Sequence, residues 1–247
     1  MNQPSRLIRN FFRKVRATIF KEKDFYPRNI PEIDSANKEY IKMFSHHTMT
    51  PIIRRWNLIK AIHYVNKKKL EGDIVESGVW RGGNLFLSKT IQDKYYPKIK
   101  RRFYGYDTYE GMPQPSIHDG LKINNIYNNL KKKKWFKASL DDVMNSANFF
   151  FSETSSFNFI KGKVEVTLRN KKNLPNKISI LRLDTDWYES TKIELNILYP
   201  LLVNDGVLII DDYGDMIGCR KAVDEFFINK DVLIVSIDKS CRIVIKN

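Results

Sequence analysis

The apolar positions between residues 178 and 214 predict two buried strands joined by a helix. Apolar side chains occupy most of 178–183 and all of 207–210, which is typical of strands covered on both faces by helices. Between these runs, apolar residues recur at helical spacing over 189–202, and Asn-Asp-Gly at 204–206 predicts a turn. We therefore expect two neighbouring parallel strands.

Similar patterns on both sides of this unit extend the prediction to a whole sheet. Residues 38–70 have a helical pattern with Thr50 as an N-cap ahead of Pro51, and Ser139 is the expected N-cap of a later helix. We predict an α/β fold with a doubly wound, mostly parallel seven-stranded sheet whose last strand is antiparallel. The remaining strands are expected at 74–76, 103–106, 157–160, 232–235 and 243–245, and a further helix at 218–227.

Acidic residues follow both strands of the central unit at the point where each strand ends. Asp184 and Asp186 follow the first strand, and Asp211 and Asp212 follow the second. Asp at a strand end can simply accept backbone N–H bonds, but two pairs at one sheet edge favour a ligand site. Because Mg²⁺ prefers carboxylate oxygens, we predict a magnesium site built from Asp184, Asp211 and Asp212, with Asp186 close by.

A glycine-rich segment at 72–84 predicts a strand, a tight turn at Gly78 and a helix that begins after Gly82. Glycines let a ligand approach the backbone closely, and the first turn of a helix offers free N–H groups. The spacing differs from the dinucleotide pattern G-x-G-x-x-G, and Glu76 lies within the segment. A carboxylate repels a pyrophosphate but suits a cationic amino-acid group, so this segment favours S-adenosylmethionine over NAD.

Two further features belong to the same expected edge of the sheet. Asp107 ends the second strand, where an acid is placed for a ribose diol, although it can also be a turn residue. Gly162 follows the third strand and would let the backbone pass an adenine edge. Residues 108–140 are rich in Pro, Gly, Asn and Lys and predict a cap over the strand ends. Trp187, beside the acids, is expected either to contact the substrate or the cap, or to fill the core.

Composition and charge limit the possible classes of protein. The 247 residues, 42% of them hydrophobic, suit one domain at 38–247 that contains the cap insertion at about 109–140. The net charge of +15 suggests an anionic partner, but the lysines are dispersed and no nucleic-acid signature is present, so a nucleic-acid partner is not expected. Cys219 and Cys241 lack metal or redox spacing, and no signal peptide or membrane span is visible, which predicts a cytoplasmic protein.

Residues 1–25 form a predicted basic amphipathic helix, followed by a linker that extends to residue 37. One interpretation is a helix lying on anionic lipid, which would give peripheral contact with the inner membrane face. The other is a helix that docks on the domain or on a partner subunit, and we favour it slightly because apolar faces of ordinary helices look the same.

Several of these motifs together resemble the macrocin O-methyltransferase (TylF/MycF-like) family of class I S-adenosylmethionine enzymes. The resemblance implies a Rossmann-like fold, an S-adenosylmethionine cofactor with Mg²⁺, and methyl transfer to a sugar hydroxyl. Ser77 stands where this family usually has Cys, and Thr185 where Gly is frequent. The matched blocks are Thr48-Met49-Thr50, the segments 74–83, 106–113 and 181–191, Asp211-Asp212-Tyr213-Gly214, and the segment 218–226.

The resemblance also implies roles for individual residues. Asp184, Asp211 and Asp212 would hold the metal. Apart from the resemblance, methyl transfer needs a nearby carboxylate to take the proton of the accepting hydroxyl, and Asp184 or Asp186 is the expected base, since sequence does not separate a ligand acid from a base. The expected acceptor is a glycan, nucleotide sugar or glycosylated natural product with vicinal hydroxyls, and we expect a homo-oligomer. The residues expected to bind the cofactor are Thr48, Met49, Glu76, Gly78, Trp80, Gly82, Asn84, Asp107, Thr108, Gly162, Lys163 and Val164.

Three other functions stay open at the level of sequence. A metal-dependent glycosyltransferase would use Asp184-Thr185-Asp186 as a D-x-D motif, but it leaves the 76–83 turn unexplained. An NAD-dependent oxidoreductase explains the sheet but not the acids. A non-catalytic basic binding protein explains the charge but not the four acids at one edge.

Overall fold

A computed structural model describes residues 30–130 and 136–247 of the chain. Seven strands form one sheet in the order β3-β2-β1-β4-β5-β7-β6. Strands β1 to β5 are parallel, while β7 is antiparallel to both β5 and β6, so the predicted fold class is confirmed. The strands are β1 (Asp73–Ser77), β2 (Phe103–Asp107), β3 (Phe157–Lys161), β4 (Ile178–Leu183), β5 (Leu202–Ile210), β6 (Val235–Ser236) and β7 (Arg242–Ile245).

Helices cover both faces of the sheet, and this is why the central strands are apolar throughout. In β1 and β4, Ile74 and Ile180 face one core, whereas Val75 and Leu181 face the other. Successive side chains of a strand point to opposite faces, so a strand between two cores needs apolar residues at almost every position. The helices are α1 (Ser35–Met43), α2 (Ile52–Lys67), α3 (Gly83–Tyr95), α4 (Leu121–Leu130), α5 (Leu140–Phe150), α6 (Val164–Thr167), α7 (Tyr188–Ile197) and α8 (Ile217–Phe227).

The ladder between the parallel strands continues one step past their carboxyl ends. The N–H of Gly78 donates to the carbonyl of Tyr106 at 2.8 Å, and the N–H of Asp184 donates to that of Ser77 at 2.9 Å. In the same way, the N–H of Asp211 donates to the carbonyl of Leu183 at 2.9 Å. These backbone bonds bring the glycine turn and both acid pairs to one edge of the sheet.

Three predicted elements in the last third of the chain differ from the structure. The helix predicted over 189–202 ends at Ile197, and a short 3-10 turn containing Pro200 follows, because proline has no N–H with which to continue the helix. Residues 204–206 do not form a turn, since they lie inside β5, where the N–H of Asp205 donates to the carbonyl of Lys246 at 2.7 Å. Of the strand predicted at 232–235, only Val235 lies in a strand, the two-residue β6.

The two predicted N-caps have different outcomes. Ser139 is the N-cap of α5, and it forms a reciprocal capping box with Asp142. Thr50 is not a cap, because Pro51 takes that position and has no side-chain capping bond. The hydroxyl of Thr50 instead accepts hydrogen bonds from Asn84 at 3.0 Å and from Arg182 at 2.9 Å.

The predictions for the N-terminal segment stay open. Residues 1–25 and the first four residues of the linker, 26–29, lie outside the described residues, so neither membrane contact nor docking on a subunit is tested. Among the helices of the described part, none combines the length and the apolar character needed to cross a membrane. The division at residue 37, the cytoplasmic location and the homo-oligomer likewise stay predictions.

Candidate active site

A cleft lies above the carboxyl ends of the central strands, at the predicted edge. Its floor comes from the turns that follow β1, β2, β4 and β5, and the cap contributes Gly111, Met112 and Pro113 from one side. The empty space, including part of the open solvent, is about 1070 Å³. This cleft contains the candidate chemistry described below.

Three carboxylates meet at one end of the cleft. One oxygen of each of Asp184, Asp186 and Asp212 lies within 4.8 Å of the other two. Asp186 adopts a left-handed backbone conformation with φ of 68°, which costs roughly 1 kcal/mol or more for a residue other than glycine. Three carboxylates this close together could supply the oxygen ligands that a divalent cation such as Mg²⁺ prefers.

Asp211 occupies a different place from the one predicted for a third metal ligand. Its side chain is buried and accepts hydrogen bonds from Arg182 at 2.6 Å and from Arg54. Its carbonyl accepts a bond from Ser240 at 2.9 Å. The group of three close acids therefore contains Asp186 instead of Asp211, and the role of Asp211 as a ligand stays a prediction.

Buried arginines support the acids from below. The guanidinium of Arg182, whose side chain is 3% exposed, donates to Glu76 at 2.7 Å, to Asp184 at 2.8 Å and to Asp211 at 2.6 Å. Two guanidinium groups thus pair with four carboxylates, and two further acids lie beside Asp184, which leaves an excess of negative charge in a poorly solvated region. The groups involved are Arg54 and Arg182, with Glu76, Asp184, Asp186, Asp211, Asp212 and Asp238.

Burial and the neighbouring acids raise the proton affinity of Asp184. Burial raises the pKa of Asp184 well above its usual range, and Asp211 and Asp212 raise it further, although Arg182 opposes them. The side chain of Asp184 nevertheless keeps 24% of its surface exposed, so that it faces the cleft. A cation in the cleft would relieve this repulsion.

Glu76 lies beneath the cleft and not in its lining. One of its carboxylate oxygens accepts bonds from Asn84 at 2.9 Å and from Arg182 at 2.7 Å. The other oxygen is buried and has no hydrogen-bond partner among the described residues. Burial raises the pKa of Glu76 to about 7, with Arg182 acting in the opposite direction.

Asp107 is held at the other end of the cleft by backbone N–H groups. Its carboxylate accepts bonds from the N–H of Trp80 and of Tyr109, both at 2.8 Å. Burial raises its pKa, while these bonds lower it. The carboxylate lines the cleft, where it is positioned to accept further hydroxyl bonds.

Gly78 joins the two ends of the cleft. Its φ is 83°, and a Cβ at this position would lie 2.1 Å from the carbonyl oxygen of Asp184. Both the backbone conformation and the close approach therefore require glycine. The turn after β1 packs directly on the turn that carries the acids.

The residues predicted for the site divide into those that line the cleft and those behind it. Thr48, Glu76, Gly82 and Asn84 are absent from the lining. Gly82 instead is the N-cap of α3 and lies against the ring of Phe86. The predicted residues that do line the cleft are Met49, Gly78, Trp80, Asp107, Thr108, Gly162, Lys163, Val164, Asp184, Asp186, Asp211 and Asp212.

Sequence reasoning missed the side chains that support the acids. Arg182 interrupts an apolar strand, and a charge buried there must be paired, which was the available signal. Arg54 lies in α2 and gave no distinct signal. Thr185 stands where the resembled family often has Gly. Its hydroxyl donates to the fully buried Glu194 at 3.0 Å and so helps to hold the turn 184–186, called the acid turn below.

Comparisons with known proteins agree with this geometry. A sequence model of the family described as macrocin-O-methyltransferase (TylF) matches residues 9–244. Demethyldecarbamoylnovobiocin O-methyltransferase of Streptomyces niveus is 27% identical over 246 residues, which cover 96% of this chain and 92% of that enzyme. A Streptomyces olivaceus enzyme, named 8-demethyl-8-(2,3-dimethoxy-alpha-L-rhamnosyl)-tetracenomycin-C 4'-O-methyltransferase, is 29% identical over 73% of this chain and 67% of its own length.

A solved structure gives the same assignment. The O-methyltransferase NovP superposes with a TM-score of 0.73 at 26% identity, covering 81% of this chain and 82% of NovP. The family match spans nearly the whole chain and includes the glycine turn, both acid pairs and the cap. The chain belongs to the macrocin O-methyltransferase family and is an S-adenosylmethionine-dependent O-methyltransferase.

Proposed function

We propose that this enzyme transfers a methyl group from S-adenosylmethionine to a sugar hydroxyl and that it requires Mg²⁺. The observation that carries the proposal is the group of three acids within 4.8 Å, located in the same cleft as Gly78 and Asp107. One end of the cleft suits a divalent cation, and the other suits a cationic nucleoside cofactor.

The residues present fit a magnesium ion. Asp184, Asp186 and Asp212 supply three oxygen donors, and Mg²⁺ commonly takes such carboxylates together with water and substrate oxygens. When bound, the ion would lower the pKa of a coordinated hydroxyl and fix its direction of attack. Arg54 and Arg182 pair with the neighbouring Asp211, which also lines the cleft and adds negative charge there.

The chain also fits S-adenosylmethionine. Asp107 offers a carboxylate fixed by two backbone bonds for the ribose hydroxyls, and Gly162 exposes backbone in the lining. Glu76, directly beneath the lining, has a buried oxygen without a partner among the described residues and would add negative charge under the cationic end of the cofactor. We therefore keep Glu76, Gly78 and Asp107 as the proposed core of the cofactor site.

Asp186 is the proposed proton acceptor. Arg182 donates to Asp184 at 2.8 Å and so occupies part of its capacity to accept a proton. Asp186 lines the cleft beside Asp184, so that it would lie close to the oxygen of an accepting hydroxyl bound there. A carboxylate at hydrogen-bond distance from the accepting hydroxyl would take its proton as the methyl group moves.

The proposed acceptor is a sugar with two adjacent hydroxyls, carried by a glycan, a nucleotide sugar or a glycosylated small molecule. The rhamnosyl compound in the name of the Streptomyces olivaceus relative supports this class. The D-x-D glycosyltransferase, the NAD-dependent oxidoreductase and the non-catalytic binding protein are not favoured, because none of them accounts for the family match over residues 9–244.

A screen of methyl transfer tests this proposal. Purified enzyme, radiolabelled S-adenosylmethionine and Mg²⁺ would be incubated with panels of nucleotide sugars and glycosylated aromatic compounds. We expect transfer to at least one sugar class, with the label on a hydroxyl that has a hydroxyl neighbour, and loss of transfer in excess EDTA. Undiminished transfer in EDTA would contradict the metal role, and label found only on non-sugar acceptors would contradict the acceptor class.

A further inference from the structure

A buried carboxylate in the cap, Asp119, joins the cap to the acid turn. Its side chain is 2% exposed. One oxygen accepts bonds from the N–H of Ser116 at 2.7 Å and from the Ser116 hydroxyl at 2.9 Å, which closes a capping box within the cap. The other oxygen accepts a bond from the N–H of Tyr188 at 2.8 Å, 69 residues away in the chain.

The hydrogen bond from Tyr188 to Asp119 lies directly beside the turn that carries Asp184 and Asp186. Tyr188 is the first residue of α7 and follows Asp186 by two positions. The N–H groups of the first helical turn lack intrahelical partners, and a carboxylate at that end is stabilising. Trp187, which precedes it as the N-cap, has no side-chain capping bond, so Asp119 supplies the carboxylate at this end of α7.

A second bond connects the same two segments. The indole N–H of Trp187, which is 3% exposed, donates to the carbonyl of Pro113 at 3.0 Å. Two consecutive residues directly after the acid turn thus hold both ends of the cap segment 113–119. Pro113 itself lines the cleft, so the position of this segment also shapes the entrance for the acceptor.

The start of α8 is adapted to the same carboxylate. A Cβ on Gly218 would lie 1.8 Å from the accepting oxygen of Asp119 and 2.9 Å from the nitrogen of Tyr188. Any side chain at this position would displace the carboxylate, which explains a glycine inside α8 where φ does not require one.

We propose that Asp119 is a positioning residue that fixes the turn carrying Asp184 and Asp186 through the N–H of Tyr188, and that aligns the cap with the metal end of the cleft. This inference rests on the proposed function, because the geometry it maintains is that of the proposed metal site. Asp119 acts through backbone, and it does not reach the reacting atoms.

The chain offers a matched control for the alternative that Asp119 only caps its own turn. Ser139 and Asp142 form the same capping box at the start of α5. The Asp142 side chain is exposed and hydrogen-bonds to Ser139 alone among the described residues. Asp142→Ala therefore removes the capping box chemistry without touching the acid turn.

The experiment compares Asp119→Ala, Asp119→Asn and Asp142→Ala in the full chain. Mn²⁺ serves as the probe for the metal site, with binding measured by electron paramagnetic resonance on protein saturated with S-adenosylhomocysteine. We expect Asp119→Ala to weaken Mn²⁺ binding roughly 10-fold or more, as is common when a partner that orients metal ligands is lost. Asp119→Asn keeps an oxygen for the Tyr188 N–H and should stay near the wild-type value, as should Asp142→Ala.

Two further readouts separate positioning from general damage. Hydrogen exchange at the Tyr188 amide should become faster in Asp119→Ala than in Asp142→Ala, while affinity for S-adenosylhomocysteine is unchanged. If Asp119→Ala does not fold, Gly218→Ala provides the same test, because its Cβ displaces the carboxylate without removing it, and it should show the same weakened Mn²⁺ binding.

Equal Mn²⁺ affinity in wild type and Asp119→Ala, or an equal loss in Asp142→Ala, would overturn the inference. Failure of the wild type to bind Mn²⁺ would instead contradict the proposed metal site. In that case hydrogen exchange at the Tyr188 amide still tests whether Asp119 fixes the turn. An unchanged exchange rate in Asp119→Ala would contradict the hydrogen bond between Asp119 and Tyr188.

Discussion

The two ends of the cleft are held in place by different kinds of interaction. At the cofactor end, backbone N–H groups of Trp80 and Tyr109 fix Asp107, and the glycine turn continues the ladder of the sheet. At the metal end, buried guanidinium groups of Arg54 and Arg182 hold the acids. The first end depends on backbone conformation, whereas the second depends on paired charges in a poorly solvated layer.

The difference teaches which substitutions each end tolerates. A site formed by backbone N–H groups tolerates most side-chain substitutions, but it requires glycine where the chain turns tightly or passes close to another segment. A buried charge network is tolerant of backbone variation but fails when one partner is removed, because the remaining charges are left unpaired. The following predictions act on the two ends separately.

The largest expected effect comes from Arg182→Leu at the metal end. It leaves Glu76, Asp184 and Asp211 without their shared cation, and breaking a buried pair costs about 3–5 kcal/mol. Urea denaturation should show this loss, while Arg102→Leu, at an exposed position, changes stability little. A loss below about 1 kcal/mol, the usual range for surface ion pairs, would mean that the network is not a stabilising unit.

Gly78→Ala should have a smaller effect on stability and a selective effect on the cofactor. The added Cβ meets the carbonyl of Asp184 and occupies a left-handed conformation, which costs roughly 1–3 kcal/mol. Because the turn lines the cleft, we expect calorimetry to show weakened S-adenosylmethionine binding. Wild-type affinity in a folded Gly78→Ala variant would contradict the role of this turn.

Glu76→Gln should act mainly on the pH dependence of stability. The pKa of Glu76 is raised to about 7, above its value in the unfolded chain, so the unfolded state loses its proton first as pH rises. Glu76 therefore lowers stability between about pH 4.5 and pH 7, by at most about 1.4 kcal/mol per pH unit. The free energy of unfolding should fall less steeply over this range in Glu76→Gln, and parallel curves for the two proteins would contradict the raised pKa.

The same contrast explains what the sequence could predict. The glycine turn, the sheet edge and the meeting of both acid pairs follow from short-range patterns, since Gly78 and Asp184 stand directly after a strand and Asp107 ends one. The contacts of Arg54 and Asp119 join residues 157 and 69 positions apart, and no periodicity marks such pairs. The three acids that lie close together include Asp186 where the sequence predicted Asp211. This difference depends on side-chain directions at the strand ends, which residue spacing alone does not determine.

The central claim is that Asp184, Asp186 and Asp212 hold one divalent cation next to the cofactor. A crystal structure of the enzyme with S-adenosylhomocysteine and Mn²⁺, with anomalous diffraction measured at the manganese edge, tests it most directly. We predict one anomalous peak at about 2.1 Å from an oxygen of each of these three carboxylates, close to the distance usual for such hard cations. A peak bound elsewhere, or none at saturating Mn²⁺, would contradict the account.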